Sequence, residues 1–297
     1  VNAAPPAPDL LGRLAAQLTR IEQRLDGIER AQREIRQLVG PFGVPIGPDT
    51  LLVQTLHGVK YLVPTHDLVM TPQLVVYRQW EAELSVLLPT LCPPGSVFVD
   101  IGANFGYFTC LLAARMGRTP GSRVIAVEPN PQMFELLKAN IRINWSTAPV
   151  RLEAVAIAAE AGLRTLHVPK DRAANAALAA DGETDVTCHE VRALPLDELL
   201  RDEPRVNLIK VDVEGFEPEV FRGATETLAR PDLHIVFEWS QVQLRQAGFD
   251  PLEVPARLRE AGFRLYDAER WRTAGEAARI CDAALVERGY MNLLAVR

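Results

Sequence analysis

The chain of 297 residues predicts an α/β protein built on a doubly wound sheet, and three observations carry that prediction. A β-rich run at 97–100 ends on Asp100 and passes directly into a glycine-spaced turn that opens a new helix. A second apolar run, 124–127, closes on Glu128, Pro129 and Asn130. Together these form half of a nucleotide-binding βαβ unit, with a carboxylate where a ribose would sit. Further runs rich in Val, Ile and Leu then alternate with helical periodicity. Of these, 206–213 is nearly continuous, as a buried parallel strand should be.

Taken from the N-terminus, residues 1–9 are rich in Ala and Pro and are expected to be disordered. Apolar residues then recur in steps of three and four at Leu11, Leu14, Leu18, Ile21, Leu25, Ile28, Ile35 and Val39, with Gln32 in the one polar slot. This narrow stripe, flanked by charge, predicts a coiled-coil helix over 10–39 that associates with copies of itself. Leu at a with Ile at d disfavours two parallel strands, and Arg24 at g is placed to reach Glu29 at e of a neighbour, so a trimer is expected. A helix folded back on its own domain is the alternative. Gly and Pro alternate through 40–50, which reads as a semi-rigid linker. Residues 51–91 read as a hairpin about His57 and Gly58, then an amphipathic helix over 73–88 with Val76, Trp80, Leu84 and Leu87 on one face.

The main domain is expected over 92–297. After the glycine turn and the strand ending at 127, a helix starts at Pro131, a good first helical residue, and runs to about 143. Residues 150–157 read as a third strand, and 162–168 with 184–193 as two more. Between that pair lies an alanine-rich loop with Lys170, Asp171, Arg172 and Asn175. Helices are expected from 196 and from 216 to 228, a strand at 234–238, a helix at 254–261, and closing strands at 263–266 and 291–296.

Apolar residues at 48% and charged residues at 24% are an ordinary globular mixture, while the net charge of −6 argues against a nucleic-acid partner. Cys92, Cys110, Cys188 and Cys281 are scattered without a C-x-x-C pair, so buried free thiols are expected rather than zinc or disulfides. No apolar run approaches a membrane span, and 1–20 lacks a signal-peptide layout, which makes the cytoplasm the default location.

The turn discriminates between adenosine cofactors. Dinucleotide sites use G-x-G-x-x-G so that a pyrophosphate rests on amides at a helix N-terminus. Here the spacing is Asp100, Gly102, Asn104, Gly106, with an acid in place of the first glycine. A carboxylate repels a pyrophosphate and attracts a cation, and S-adenosylmethionine carries both an ammonium and a sulfonium. Glu128 fits the ribose diol of either cofactor. The glycines are read as letting backbone approach the ligand closely. A nicotinamide oxidoreductase would usually add a Tyr-x-x-x-Lys pair, which is absent from the sequence.

The string Asp100-Ile101-Gly102-Ala103-Asn104-x-Gly106, then Val127-Glu128-Pro129-Asn130, Leu196-Asp197, and Lys210-Val211-Asp212-Val213-Glu214-Gly215-Phe216-Glu217 resembles the FkbM family of S-adenosylmethionine-dependent methyltransferases. The resemblance covers about three quarters of the chain, from residue 73 onward, with Lys-x-Asp-x-Glu-Gly-x-Glu its specific element. It implies a Rossmann-like, seven-stranded class I sheet with helices on both faces, and O-methylation of a sugar, glycan or other hydroxylated metabolite.

A hydroxyl acceptor needs a base as the new bond forms. Asp212 and Glu238 are the candidates, with Lys210 and Glu214 orienting the acceptor. Leu208, Lys210 and Asp212 share one strand face, so buried Lys210 must pair with an acid such as Asp212, Glu238 or Glu81. Two alternatives are a loop histidine as base, His57 or His189, and a magnesium ion held by Asp212, Glu238 and a third acid. For the cofactor, the expected contacts are Asp100, Gly102, Asn104 and Gly106 with Tyr107, Phe108 and Thr109 around the methionine portion, Glu128 on the ribose, and Pro129, Asn130 and 153–156 around the purine. The acceptor pocket is expected from the 170–190 loop, the hairpin before 65 and residues 271–290. A non-catalytic coiled-coil scaffold is the third class of reading.

Overall fold

The computed structural model describes residues 10–38, 43–145, 147–169 and 186–297. The disorder expected at 1–9 and the loop carrying Lys170, Asp171, Arg172 and Asn175 lie outside the described residues. The chain divides into two compact units, Val1–Pro41 and Phe42–Arg297. The described residues of the first form one helix, α1 (Leu10–Leu38). Its Leu18, Ile21, Leu25, Ile28 and Ile35, spaced at three, four, three and seven, are each more than half exposed. No described helix is long and apolar enough to cross a membrane.

The second unit opens with β1 (Val44–Gly47), β2 (Thr50–Gln54) and β3 (Lys60–Pro64), then α2 (Met70–Tyr77) and α3 (Ala82–Leu91). Next come β4 (Val97–Ile101), α4 (Tyr107–Met116), β5 (Arg123–Val127), α5 (Pro131–Ile143) and β6 (Val150–Glu153). An excursion through β7 (Ala156–Ile157), β8 (Gly162–Pro169) and β9 (Val186–Leu194) leads to α6 (Leu196–Leu199). The chain then runs β10 (Leu208–Val211), α7 (Glu217–Arg222), α8 (Thr225–Leu228), β11 (His234–Ser240), α9 (Gln241–Gln246) and α10 (Glu253–Glu260). It closes with β12 (Arg264–Asp267), α11 (Ala268–Ala274), α12 (Asp282–Arg288) and β13 (Tyr290–Val296).

The main sheet has seven strands in the order β12-β13-β11-β10-β4-β5-β6. The neighbours from β11 to β6 pair in parallel, while β13 runs antiparallel to both β11 and β12. Alternation along the strands feeds two cores, one on each face. Phe98, Val124, Leu208, Val236 and Leu294 pack on one side, and Val99, Ile125, Ile209, Ile235 and Leu293 on the other. The strand order turns back at β4, where the chain goes one way to β5 and β6 and later the other way to β10 and β11. Ligands of such sheets sit at the carboxyl ends of the strands beside that reversal.

Several elements differ from the sequence expectation. The linker at 40–50 contains β1, which pairs with β2; Pro45 is tolerated there because it lies on an edge strand opposite Leu51. The run 150–157 is split, with β6 in the main sheet and β7 pairing with β9 in a separate three-stranded sheet that also takes β8. The helix expected over 73–88 is two helices. They break at 78–81, where Arg78 and Glu81 take positive φ of 58° and 40°. Leu84 and Leu87 are buried as expected, whereas Val76 faces solvent. Long-range bonds hold the break: Leu56 N–H donates to the Arg78 carbonyl, and the Trp80 N–H donates to the Tyr107 hydroxyl, at 2.9 and 3.1 Å. Cys188 and Cys281 are exposed, so only two of the four free thiols are in the core.

The small β1–β3 sheet is tied to α5 by two asparagines. Asn140 accepts from the Leu62 N–H (2.6 Å) and donates to the Leu62 carbonyl (3.1 Å). Asn144 repeats the pair on Lys60, at 3.0 and 2.7 Å. Both backbone groups of each strand residue are thereby satisfied without another strand.

Candidate active site

A cavity of about 360 Å³ opens at the carboxyl ends of the strands. One half is formed by Asp100 near the end of β4, Gly102 and Asn104 after it, Glu128 and Pro129 after β5, and the apolar Met133, Val155, Ala156 and Ile157. The other half is formed by Lys210, Asp212 and Glu214 at β10, Glu238 on β11, Gln243 on α9, Tyr290 on β13, and Trp80 and Glu81 from the α2–α3 break.

The glycine turn is shaped by the protein's own packing. Gly102 has φ of 79°, and a Cβ there would drive into the Asp212 carbonyl oxygen; at Gly106, with φ of 91°, it would strike Leu137. Close backbone approach is thus required by β10 and α5, which is a different reason from the ligand contact expected. The amides of the turn are also committed. Gly102 and Ala103 N–H both donate to the Val127 carbonyl at 3.0 Å, and Gly106 N–H to the Ala103 carbonyl at 2.9 Å. Asn104 N–H donates to Glu128 Oε2 (2.7 Å), and Phe105 N–H to Asn104 Oδ1 (2.8 Å). These five amides are therefore not free to cradle a pyrophosphate.

Glu128 is held from both sides. Its Oε1 accepts from the Asn130 N–H and its Oε2 from the Asn104 N–H, both at 2.7 Å. Each oxygen keeps a second lone pair for a ligand hydroxyl. Burial lifts its pKa to about 7 despite those two donors, with Asp100 and Asp212 adding to the rise. Asp100 is 1% exposed; its Oδ2 accepts from the Thr109 hydroxyl (2.6 Å), and its Oδ1 has no hydrogen-bond partner among the described residues. Desolvation raises the pKa of Asp100 too, opposed by Lys210 and Thr109.

Lys210 lies directly across from Asp100 in the β10–β4 register and binds Asp212 Oδ2 at 2.8 Å. Its ammonium also sits 5.0 Å from the Phe108 ring centroid. Burial works against the charge, but Asp212, Asp100 and Glu81 outweigh it and hold the lysine above its ordinary pKa. On β13, Tyr290 and Asn292 are two positions apart and so share a strand face. The Tyr290 hydroxyl donates to Glu238 Oε1 (2.8 Å) and the Asn292 amide to Glu81 Oε1 (2.9 Å). The second oxygen of each, Oε2, is buried with no partner among the described residues. Desolvation raises both carboxyl pKa values; Asp212 and Glu214 push Glu238 further, well above the usual range.

Of the residues expected from sequence, Asp100, Gly102, Asn104, Tyr107, Phe108, Glu128, Pro129, Lys210, Asp212, Glu214 and Glu238 line this one cavity. Gly106, Thr109 and Asn130 do not. Gly106 is packed against Leu137, Thr109 orients Asp100, and Asn130 caps α5 by accepting from the Gln132 N–H (3.0 Å). The Tyr107 hydroxyl is engaged by Trp80 and by Ser85 at 2.9 Å, and so supports the wall. His57 and His189, the alternative bases, are not among the lining residues, and neither is any residue of the hairpin before 65 or of 271–289. Among the described residues no group of three or more His, Cys, Asp or Glu is placed to hold a metal ion.

Sequence reasoning did not assign Glu81, Gln243 or Trp80 to the pocket. Among the described residues, three of the five non-glycine residues with positive φ line the cavity: Glu81, Asn104 and Glu214. Such backbone strain persists only where surrounding structure fixes it, and it gathers at functional sites. Glu217, the last acid of the Lys-x-Asp-x-Glu-Gly-x-Glu string, is a positioning residue. Its Oε1 accepts from the Val213 and Gly215 N–H groups (3.2 and 3.3 Å) and so shapes the turn that presents Glu214.

Comparison with known proteins fits this geometry. Residues 100–265 match the family described as methyltransferase FkbM domain, and the chain belongs to that family. It is 31% identical over 168 residues to hexuronic acid methyltransferase AglP of Haloferax volcanii, covering 56% of this chain and 62% of that protein. It is also 29% identical over 151 residues to Methyltransferase 1 of Beauveria bassiana, covering 44% of this chain and 59% of that one. The chain thus spans about six tenths of the length of each of these two relatives. Among solved structures, an FkbM methyltransferase from Methylobacillus flagellatus overlays with a TM-score of 0.43 at 15% identity, over 68% of this chain and 44% of that one.

Proposed function

We propose that this chain transfers the methyl group of S-adenosylmethionine to a hydroxyl of a sugar, glycan or other hydroxylated metabolite. The observation that carries the reading is one cavity with two chemically distinct halves. At one end, Glu128 presents two fixed oxygens beside an apolar slot, and Asp100 presents a buried oxygen without a donor. At the other end, several carboxylates and one lysine converge. The first half suits a ribose diol, a flat purine and a cationic tail, and the committed turn amides disfavour a dinucleotide. Kinship at 31% identity with a protein named for hexuronic acid methylation supports a carbohydrate acceptor.

Bound S-adenosylmethionine would supply an electrophilic methyl on a sulfonium. Asp100 would face its positive charge, Glu128 the ribose hydroxyls, and Met133, Val155 and Ala156 the purine. Asp212 or Glu238 would accept the acceptor's proton, while Lys210 and Glu214 orient the acceptor. Alignment and exclusion of water account for much of the rate in such a displacement.

Isothermal calorimetry tests the reading. Binding of S-adenosylmethionine and its demethylated product is expected, with none of NAD. Glu128→Ala should weaken that binding by at least about a hundredfold, since two charge-assisted bonds are lost. In the unmodified protein, affinity should fall as pH drops below about 7, because protonated Glu128 offers one acceptor fewer. Asp212→Ala and Glu238→Ala should keep the affinity and lose turnover by about 10²–10⁴-fold. Absence of cofactor binding by folded protein would end the proposal.

The exposed stripe on α1 supports a second part of the proposal, a parallel homotrimeric coiled coil through 10–39. Burial against copies of the same stripe would cover Leu18, Ile21, Leu25 and Ile28. Sedimentation velocity should give a trimer, and a monomer at micromolar concentration would remove the idea.

A further inference from the structure

We propose that the acceptor is a hydroxyl-rich molecule without negative charge, and that Glu81, Glu238 and Gln243 select it by turning carboxylates away. This rests on the methyl-transfer reading above and narrows it to uncharged carbohydrate, a different acceptor from the uronic acid for which the 31% identical relative is named.

The β10–β11–β13 half of the cavity carries Glu81, Asp212, Glu214 and Glu238 against Lys210, the one cation among the described lining residues. That cation is already bound to Asp212 at 2.8 Å. An incoming carboxylate would therefore meet like charge with no free counter-ion among the described lining residues. The hydrogen-bonding inventory agrees. Glu81 and Glu238 are each held through Oε1 by a donor from one face of β13, and each keeps a buried Oε2 without a partner among the described residues. Gln243 is held in the same manner: its amide nitrogen donates to Glu214, and its Oε1 is left without a donor among the described residues. Three buried acceptor oxygens thus belong to residues that line one end of the cavity. With Glu81 and Glu238 ionised, a carboxylate, which can only accept, cannot satisfy these oxygens, whereas a hydroxyl can donate to them.

Glu81 carries the cost of the arrangement. It combines a left-handed backbone, with φ of 40°, with a desolvated carboxyl group, both of which work against the fold. Glu81, Tyr290 and Asn292 also lie outside the family match at 100–265, while Asp100, Asn104 and Glu128 lie inside it. The acceptor half thus combines Lys210, Asp212, Glu214, Glu238 and Gln243, which lie within the match, with Trp80, Glu81 and Tyr290 from flanking chain.

The test uses the full chain saturated with the demethylated cofactor product, whose binding is first verified by calorimetry; failure at that step sinks the methyl-transfer reading and this inference with it, whereas the results that follow judge the acceptor preference alone. Saturation-transfer NMR then compares the methyl glycosides of glucose, galactose and mannose with the matching methyl uronosides, and labelled methyl transfer from S-adenosylmethionine is measured on the same pairs. At least one neutral glycoside is expected to bind and accept methyl, at least about tenfold better than its uronoside. Glu81→Gln, which removes charge but keeps an acceptor for Asn292, should shrink that preference several-fold while leaving cofactor affinity unchanged. Equal or better use of the uronoside overturns the proposal. So does binding of neither series, or a preference that Glu81→Gln does not move.

Discussion

Replacing Gly102 with alanine should cost about 4 kcal/mol or more of stability, among the largest single-site effects available in this chain. Two penalties add at that position. The left-handed backbone, with φ of 79°, disfavours any Cβ, and the new atom would be forced into the Asp212 carbonyl oxygen, which is backbone and cannot rotate aside. Gly58 supplies the control, having the same handedness (φ of 80°) but open space around the missing Cβ. Gly58→Ala should therefore cost only about 1 kcal/mol. Urea denaturation of both variants measures the difference. Equal effects would mean that the β4 and β10 ends are not nested as described.

The second large effect is expected at Lys210→Met. Methionine can fill the space beside Phe108, but Asp100, Asp212 and Glu81 would lose their shared counter-ion. Leaving buried acids uncompensated typically costs about 3–5 kcal/mol. The sign with pH follows from linkage. The lysine's folded pKa is raised, so its contribution is complete below its unfolded pKa and is lost only in strong alkali. In the variant, the acids instead take up protons on acidification and cease to need a partner. The deficit should be large at pH 8 and shrink steadily toward pH 5. A deficit of constant size across that range would mean that Lys210 acts through packing alone.

Much of the fold could be read from sequence because its central strands are local signals. Residues 97–101 and 208–211 are buried throughout and rich in Val and Ile, and the chemistry sits at their ends. Lys210 within such a run announced a buried ion pair before its partner was known. The break at 78–81 could not be read in this way. Arg78, Gln79, Trp80 and Glu81 include neither Gly nor Pro, and their conformation is imposed by Gln54, Leu56 and Tyr107, all distant in sequence. Glu81 could consequently be named as a partner for Lys210 but not placed in the pocket. Thr109 and Asn130 were legible as part of the motif but not as supports, because a motif records which residues recur together and not which of them faces the ligand. The strand β1 was hidden by its own Gly and Pro content, since an edge strand tolerates what a central one does not.

The asparagine pair on α5 has a consequence for the way the molecule can move. Four residues of helix rise about 6 Å and two residues of strand about 7 Å, so side chains four apart can serve as consecutive rungs for a strand. Helix α5 thus behaves as a lever with both ends loaded: Asn130 at its start is bonded to Glu128, and Asn140 and Asn144 near its finish grip β3. A tilt that loosened the hairpin would be felt at the ribose-facing carboxylate, and a ligand that fixed the carboxylate would steady the hairpin in return.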